Sequence, residues 1–80
     1  MNYDFIIDTK TQKLISMAKQ FNKQNAVYPQ IVERLIEQKY TVKQELSISR
    51  QRDKKPQEFE EYDTYCEACK QYAKELLGIE

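Results

Sequence analysis

Residues 56–77, PQEFEEYDTYCEACKQYAKELL, carry the clearest helical pattern in this chain of 80 residues. Pro56 suits the first position of a helix, because the N–H that proline lacks would have no partner there. Gly78 suits the left-handed position that ends many helices. Between them, apolar and small side chains spaced three and four apart form one seam: Phe59, Tyr62, Cys66, Cys69, Ala73 and Leu76. The pattern predicts a helix from Pro56 to Leu77, about 33 Å long, with Tyr65 and Tyr72 beside the seam.

The preceding segment predicts an antiparallel neighbour for this helix. Thr41 and Gln44 have the spacing of a capping box, in which each side chain bonds the other residue's backbone N–H. We therefore expect a break near Thr41 and a helix over about 42–53, with Val42 and Leu46 facing inward. The short connection to Pro56 makes the two helices a helical hairpin.

Two structures compete for the N-terminal segment. Thr9 and Gln12 also have capping-box spacing, which predicts a helix from Lys10 to about 22. One face of that helix would carry four apolar side chains: Leu14, Met17, Ala18 and Phe21. The alternative is a short strand or β-hairpin at 3–16, in which residues 5–8 pair with 13–16. The absence of an Asn-Gly or Asp-Gly turn favours the helix.

The segment from Asn22 to Pro29 is expected to be a connecting loop. A residue before proline is biased away from the helical conformation, and Pro29 can then occupy the first position of a second helix. The apolar stripe of this helix, which ends near Lys39, consists of Ile31, Val32, Leu35 and Ile36.

The composition predicts an all-α fold and a single small domain, 1–80. One Gly and two Pro provide few turns for a sheet of many strands, whereas Lys, Glu, Gln and Leu favour helix. We expect a small bundle built on the antiparallel hairpin of about 42–53 and 56–77, with N-terminal helices packed across it. Residues 1–28 would be a variable N-terminal head, and residues 29–80 the helical core.

Charge and residue content disfavour several classes of protein. The 13 basic and 13 acidic residues balance, unlike the excess of Lys and Arg in a protein that coats DNA. The absence of His removes triad chemistry and a self-contained Cys/His zinc site, so we assign no catalytic residue, no metal ligand and no cofactor. No apolar run is long enough to span a bilayer, and the first residues lack the basic start of a signal peptide. Two cysteines suit a reducing cytoplasm.

The motif Cys66-Glu67-Ala68-Cys69 is a C-x-x-C in the middle of the predicted helix. A redox pair needs its first thiol at a helix N-terminus, where the dipole lowers the thiol pKa. We therefore expect both thiols to pack as small hydrophobic groups on the seam. A metal ion or a disulfide between subunits is the alternative.

The candidate interaction surface combines basic and aromatic side chains near the hairpin: Arg50, Arg52, Lys54, Lys55, Tyr62, Tyr65 and Tyr72. Tyrosine gives a large contact area with a polar tip, which suits interfaces as well as a sparse core. An acidic block from Glu58 to Glu67 follows the basic residues, and we expect the opposite charges to satisfy each other across the hairpin. A second basic run, Lys10 to Lys23, is an ordinary solvated face or an attractor of polyanions.

The segment from Tyr40 to Tyr62, YTVKQELSISRQRDKKPQEFEEY, continued by Tyr65, Glu67, Cys69 and Lys70, resembles small uncharacterised phage and prophage proteins of gut bacteria. The resemblance covers about residues 40–77, and its most specific part is the string ELxIxRQRDxKP. Such proteins tend to be encoded near tail or late structural genes. The family has no known activity, so the resemblance transfers no functional residue.

These observations predict a non-enzymatic protein–protein interaction or structural assembly module of phage origin. Its partner would be a second copy, giving a homodimer, or another phage or host protein, in the bacterial cytoplasm or in the virion. One alternative is a small phage regulator that binds nucleic acid through its basic patches. Another is an inhibitor of a host defence enzyme that mimics nucleic acid with the acidic block.

Overall fold

A computed structural model describes residues 4–79, which form four helices and no strand. The helices are α1 (Thr9–Gln20), α2 (Gln24–Ile36), α3 (Val42–Arg50) and α4 (Pro56–Leu77). The predicted all-α class is therefore confirmed. The β-hairpin alternative at 3–16 is wrong, because residues 9–16 lie in α1; Tyr3 lies outside the described residues.

Helix α4 has the predicted bounds. Pro56 begins it, and Gly78 ends it with φ of +71°, a conformation that costs glycine little because it has no Cβ. The seam is also largely as predicted, since Cys66, Cys69 and Ala73 are buried. Its last member differs: Leu77 is buried, whereas Leu76 is half-buried.

Helix α2 begins five residues earlier than predicted. Asn22, with φ of +57°, makes a tight turn after α1, and Gln24 already starts α2, so the predicted loop over 22–29 is wrong. Pro29 is the sixth residue of the helix and leaves the carbonyl of Asn25 without its usual i+4 donor. Burial of Val27, which is 4% exposed, offsets this cost. The predicted stripe from Ile31 to Ile36 is confirmed as core.

Helix α1 also begins one residue early. Asp8, not Thr9, is the N-cap, and its carboxylate accepts a hydrogen bond of 2.8 Å from the N–H of Thr11. The buried face differs from the predicted one, because Met17 and Phe21 are 39% and 60% exposed. The inward side chains, again at helical spacing, are Thr11, Leu14, Ile15 and Ala18.

Helix α3 begins at the predicted capping box. Thr41 Oγ accepts from the N–H of Gln44 at 3.1 Å, and the Gln44 amide oxygen accepts from the N–H of Thr41 at 2.8 Å. The prediction that Val42 and Leu46 face inward is wrong, since they are 60% and 54% exposed. The inner face of α4 packs mainly against α2, so α3 contacts α4 less extensively and contributes no buried residue.

The core therefore lies between α2 and α4, with α1 packed against both. Its cluster includes Ala18 and Val27 from the first 28 residues together with Ile31, Leu35 and Leu77. The division into a variable head (1–28) and a helical core (29–80) stays a prediction. The molecule measures 45 × 23 × 21 Å. Within residues 4–79, no helix combines the length and apolarity needed to cross a membrane.

Candidate interaction surface

The outer face of α3 carries two of the exposed large apolar side chains of the described residues. Val42 and Leu46 lie one helical turn apart and leave more than half of their surface in water. Lys43 and Arg50 are exposed on the same short helix. A shallow surface depression is lined by Leu46 together with Lys43, Ser47 and Arg50. We call Val42, Lys43, Leu46 and Arg50 the α3 face.

Polar and aromatic contacts hold α3 against α4 in place of a buried apolar stripe. The Tyr62 hydroxyl donates to Glu45 Oε1 at 2.6 Å. The Tyr62 ring also meets Tyr40 edge to face, with 5.0 Å between ring centroids. Burial, and then the hydrogen bond to Glu45, raise the pKa of Tyr62, so its hydroxyl keeps the proton that it donates. The α3 face is thus presented on a helix that is fixed from its opposite side.

The predicted basic residues all lie on the surface. Arg50 ends α3, and Arg52, Lys54 and Lys55 follow in the turn before α4. Within residues 4–79 none of these four cations forms an ion pair, so the predicted pairing with the acidic block across the hairpin is not observed. The ion pair present in this part of the chain joins Lys70 to Glu67 within α4, at 3.4 Å. The basic turn is therefore available to a partner.

The three predicted tyrosines are less available than the cations. Tyr65 is only 4% exposed, and its hydroxyl donates to the carbonyl of Leu35 at 2.9 Å, which places it in the core between α2 and α4. Burial raises the pKa of Tyr65 to about 12. Tyr72 is half-buried under Phe5, with ring centroids 4.8 Å apart and 19° between the ring planes. Most of this aromatic surface is already occupied by the protein itself.

The C-x-x-C motif is part of the core. Cys66 and Cys69 are free thiols, 8% and 0% exposed. Burial is the main cause of a raised pKa for both thiols, and it brings that of Cys69 to about 11. Neutral buried thiols are poor nucleophiles and poor metal ligands. Among residues 4–79 no cluster of three or more Cys, Asp or Glu side chains could hold a metal ion.

One arrangement was not predicted from the sequence. The side-chain amide of Gln38 pairs with the backbone of Ile6, accepting from its N–H at 2.9 Å and donating to its carbonyl at 2.6 Å. These residues are 32 positions apart, and no local pattern connects them. The contact holds the segment before α1 against the end of α2.

The comparisons with known proteins add no relative. No family model matches the chain, and no curated protein or solved structure matches it either. The resemblance of residues 40–77 to phage proteins therefore stays a prediction.

Proposed function

We propose that this protein is a non-enzymatic interaction or assembly module of phage origin, and that the α3 face is where it binds another protein. The observation that supports this best is the exposure of Val42 and Leu46 on a helix without a buried residue. A monomer gains nothing from two adjacent aliphatic side chains in water, whereas an interface would bury them. Burying the remaining 60% of Val42 and 54% of Leu46 would contribute about 1–2 kcal/mol each.

The chemistry of the α3 face favours an acidic helix as the partner. Val42 and Leu46 have the i, i+4 spacing with which one helix packs against another. Lys43 and Arg50 lie beside them, and Arg52 and Lys54 follow, all without an ion pair in the described part of the chain. Complementary charge fixes the orientation of a partner and speeds its association. A partner helix with apolar side chains flanked by Asp or Glu meets both requirements.

The surroundings of α3 support a preformed site. The capping box and the Tyr62–Glu45 hydrogen bond define the helix before any partner is bound. A preformed surface loses less conformational entropy on binding than a segment that must first fold. The buried, neutral thiols of Cys66 and Cys69 support a non-enzymatic role.

The test compares two exposed apolar positions by the same substitution. Leu46→Asp places a negative charge in the α3 face, and Phe21→Asp places one just after α1, at a C-cap side chain that is 60% exposed. Each tagged protein is used for capture from phage-infected cells, and each captured protein is then purified and titrated against all three forms. We expect a directly binding partner whose affinity falls at least about tenfold with Leu46→Asp and is unchanged by Phe21→Asp.

Two controls make the result decisive. Far-UV circular dichroism and thermal melting of both variants must match the wild type, since neither side chain is part of the core. Affinity should also fall as salt is raised, because Lys43 and Arg50 contribute charge. The proposal is wrong if partners bind Leu46→Asp as tightly as they bind the wild type.

A second candidate function is nucleic-acid binding by a small phage regulator. The observation that favours it is that the cations of the basic turn, from Arg50 to Lys55, form no ion pair with any residue between 4 and 79. If nucleic acid binds through this turn, the logarithm of the affinity should fall linearly with the logarithm of the salt concentration. Substituting Arg52 and Lys54 by Gln would then reduce the slope, and no retardation of a random duplex at low salt would exclude this function.

A further inference from the structure

The segment before α1 lies on the protein as an extended peptide. Burial alternates along it: Asp4, Ile6 and Asp8 are exposed, whereas Phe5 and Ile7 are half-buried. This period of two is that of a β-strand with one face covered. Ile6 is 74% exposed, so its backbone and not its side chain is what the protein holds.

Gln38 holds that backbone as a neighbouring strand would. Its amide oxygen accepts from the N–H of Ile6 at 2.9 Å, and its amide nitrogen donates to the carbonyl of Ile6 at 2.6 Å. A primary amide has the donor and acceptor of a peptide group, so this pair recognises a main chain whatever the side chain. Gln38 follows the end of α2, where the chain turns towards α3.

Side-chain recognition comes from the aromatic surface of α4. Phe5 stacks on Tyr72, with 4.8 Å between ring centroids, and its ring lies 5.8 Å from that of Tyr65. The two exposed ends of the segment are the carboxylates of Asp4 and Asp8. Hydrogen bonds with Thr11 are the main cause of the lowered pKa of the Asp8 carboxyl, and the guanidinium of Arg34, which lines the same depression as Gln38, makes a smaller contribution.

We propose that Gln38, Tyr65 and Tyr72 form a binding site for an extended peptide, and that residues 4–7 occupy this site as an intramolecular ligand. The external ligand is a segment of another protein with an aromatic residue, any residue and an aliphatic residue in succession. This site is independent of the α3 face.

The short tether argues against a second copy as the source of that segment. Asp8 is already the N-cap of α1, so residues 4–7 reach at most about 14 Å from the helix start. The same tether keeps the internal segment at an effective concentration in the millimolar range, so it competes with any external peptide. External binding is therefore expected to strengthen when the internal segment is weakened.

The experiment uses the full chain and a labelled synthetic peptide with the sequence of residues 3–9, YDFIIDT. Ile6→Pro removes the N–H from which the Gln38 amide oxygen accepts a hydrogen bond, and the matched control Ile6→Ala keeps it. Neither substitution removes a core side chain, because Ile6 is exposed. We expect the peptide to bind Ile6→Pro about three- to tenfold more tightly than Ile6→Ala or the wild type, by fluorescence anisotropy. Adding Gln38→Ala to Ile6→Pro should weaken binding at least about tenfold.

Nuclear magnetic resonance and sedimentation complete the test. Amide shifts on peptide addition should be confined to the surroundings of Gln38, Tyr65 and Tyr72, with the remaining spectrum confirming the fold. The proposal is overturned if the peptide does not bind Ile6→Pro at about 1 mM, or if Gln38→Ala leaves binding unchanged. A wild-type dimer that Ile6→Pro converts to monomer would also overturn it, because a second copy would then be the ligand.

Discussion

Removing the Tyr62 hydroxyl tests whether α3 is held to the bundle by a single polar contact. In Tyr62→Phe the ring and its edge-to-face contact with Tyr40 remain, and the hydrogen bond of 2.6 Å to Glu45 Oε1 is lost. Few other contacts oppose the opening of α3, since none of its residues is buried. The substitution therefore addresses the attachment of this helix specifically.

The magnitude follows from the type and exposure of the bond. A hydrogen bond to a charged group contributes about 1.5–3 kcal/mol net. Tyr62 and Glu45 are both half-buried, so water competes for the carboxylate and the lower value applies. About 1.4 kcal/mol corresponds to a tenfold change in an equilibrium constant.

Native-state hydrogen exchange measures this local equilibrium. In the wild type, the amides of α3 are expected to exchange faster than those of α2 and α4, because α3 can open without exposing the core. Tyr62→Phe should accelerate exchange of the α3 amides about tenfold. A double-mutant cycle with Glu45→Ala should give a coupling energy of about 1–1.5 kcal/mol.

Two results would contradict the prediction for Tyr62→Phe. If the α3 amides of the wild type exchange as slowly as the core amides of α4, then α3 opens only with the whole domain. If the effects of Tyr62→Phe and Glu45→Ala simply add, the hydrogen bond does not contribute in solution.

Three further predictions concern a buried thiol, the proline inside α2 and the N-cap of α1. The free energy of unfolding should fall as pH rises from about 9 to 11, because the thiol of Cys69 ionises near its ordinary pKa of 9.0 in the unfolded chain but keeps its proton in the fold up to about 11. Denaturant unfolding should show a smaller decline in Cys69→Ala, and an equal decline in the variant and the wild type would contradict this. Pro29→Ala should raise the melting temperature by at least about 5 °C, since alanine has an N–H that can donate to the carbonyl of Asn25. An unchanged melting temperature would show that this carbonyl already accepts a hydrogen bond. Asp8→Ala should speed hydrogen exchange of the Thr11 amide near neutral pH, because the carboxylate that accepts from this amide is lost. The pKa of Asp8 is lowered in the fold, so the difference in exchange rate between variant and wild type should vanish as pH falls through that folded value, and a difference that does not change with pH would exclude the capping role.

Local signals in the sequence predicted the helices where the deciding groups are neighbours in the chain. Pro56 and Gly78 act on the first and last turns of α4, and the Thr41–Gln44 box acts within one turn of α3. Such groups need no distant partner, so the bounds of α4 and the start of α3 agree with the structure. A local signal did not predict the start of α2 correctly. The preference of proline for the first helical position is outweighed by the burial of Val27, so Pro29 lies inside the helix.

The candidate site was predictable in part. The basic residues Arg50, Arg52, Lys54 and Lys55 are exposed, but the pairing with the acidic block that the charge pattern predicts is not observed among residues 4–79. The sequence predicts that Val42 and Leu46 face inward, because they have the spacing of core residues. They are exposed because α2 already covers the inner face of α4, and no local pattern in α3 reveals this. Tyr65 likewise belongs to the core, where Leu35 supplies the acceptor for its hydroxyl.

The all-α class, the length of α4 and the capping box of α3 follow from the sequence alone, and so does the apolar character of the two thiols. Each depends on propensity or on contacts within one or two helical turns. Which face of each helix is covered depends instead on how the helices pack in three dimensions. Helical periodicity shows that a stripe exists, but its burial depends on which helix packs against it. The exposure of Leu46 and the pairing of Gln38 with the backbone of Ile6 join residues far apart in the chain, and such contacts form only when the helices have packed.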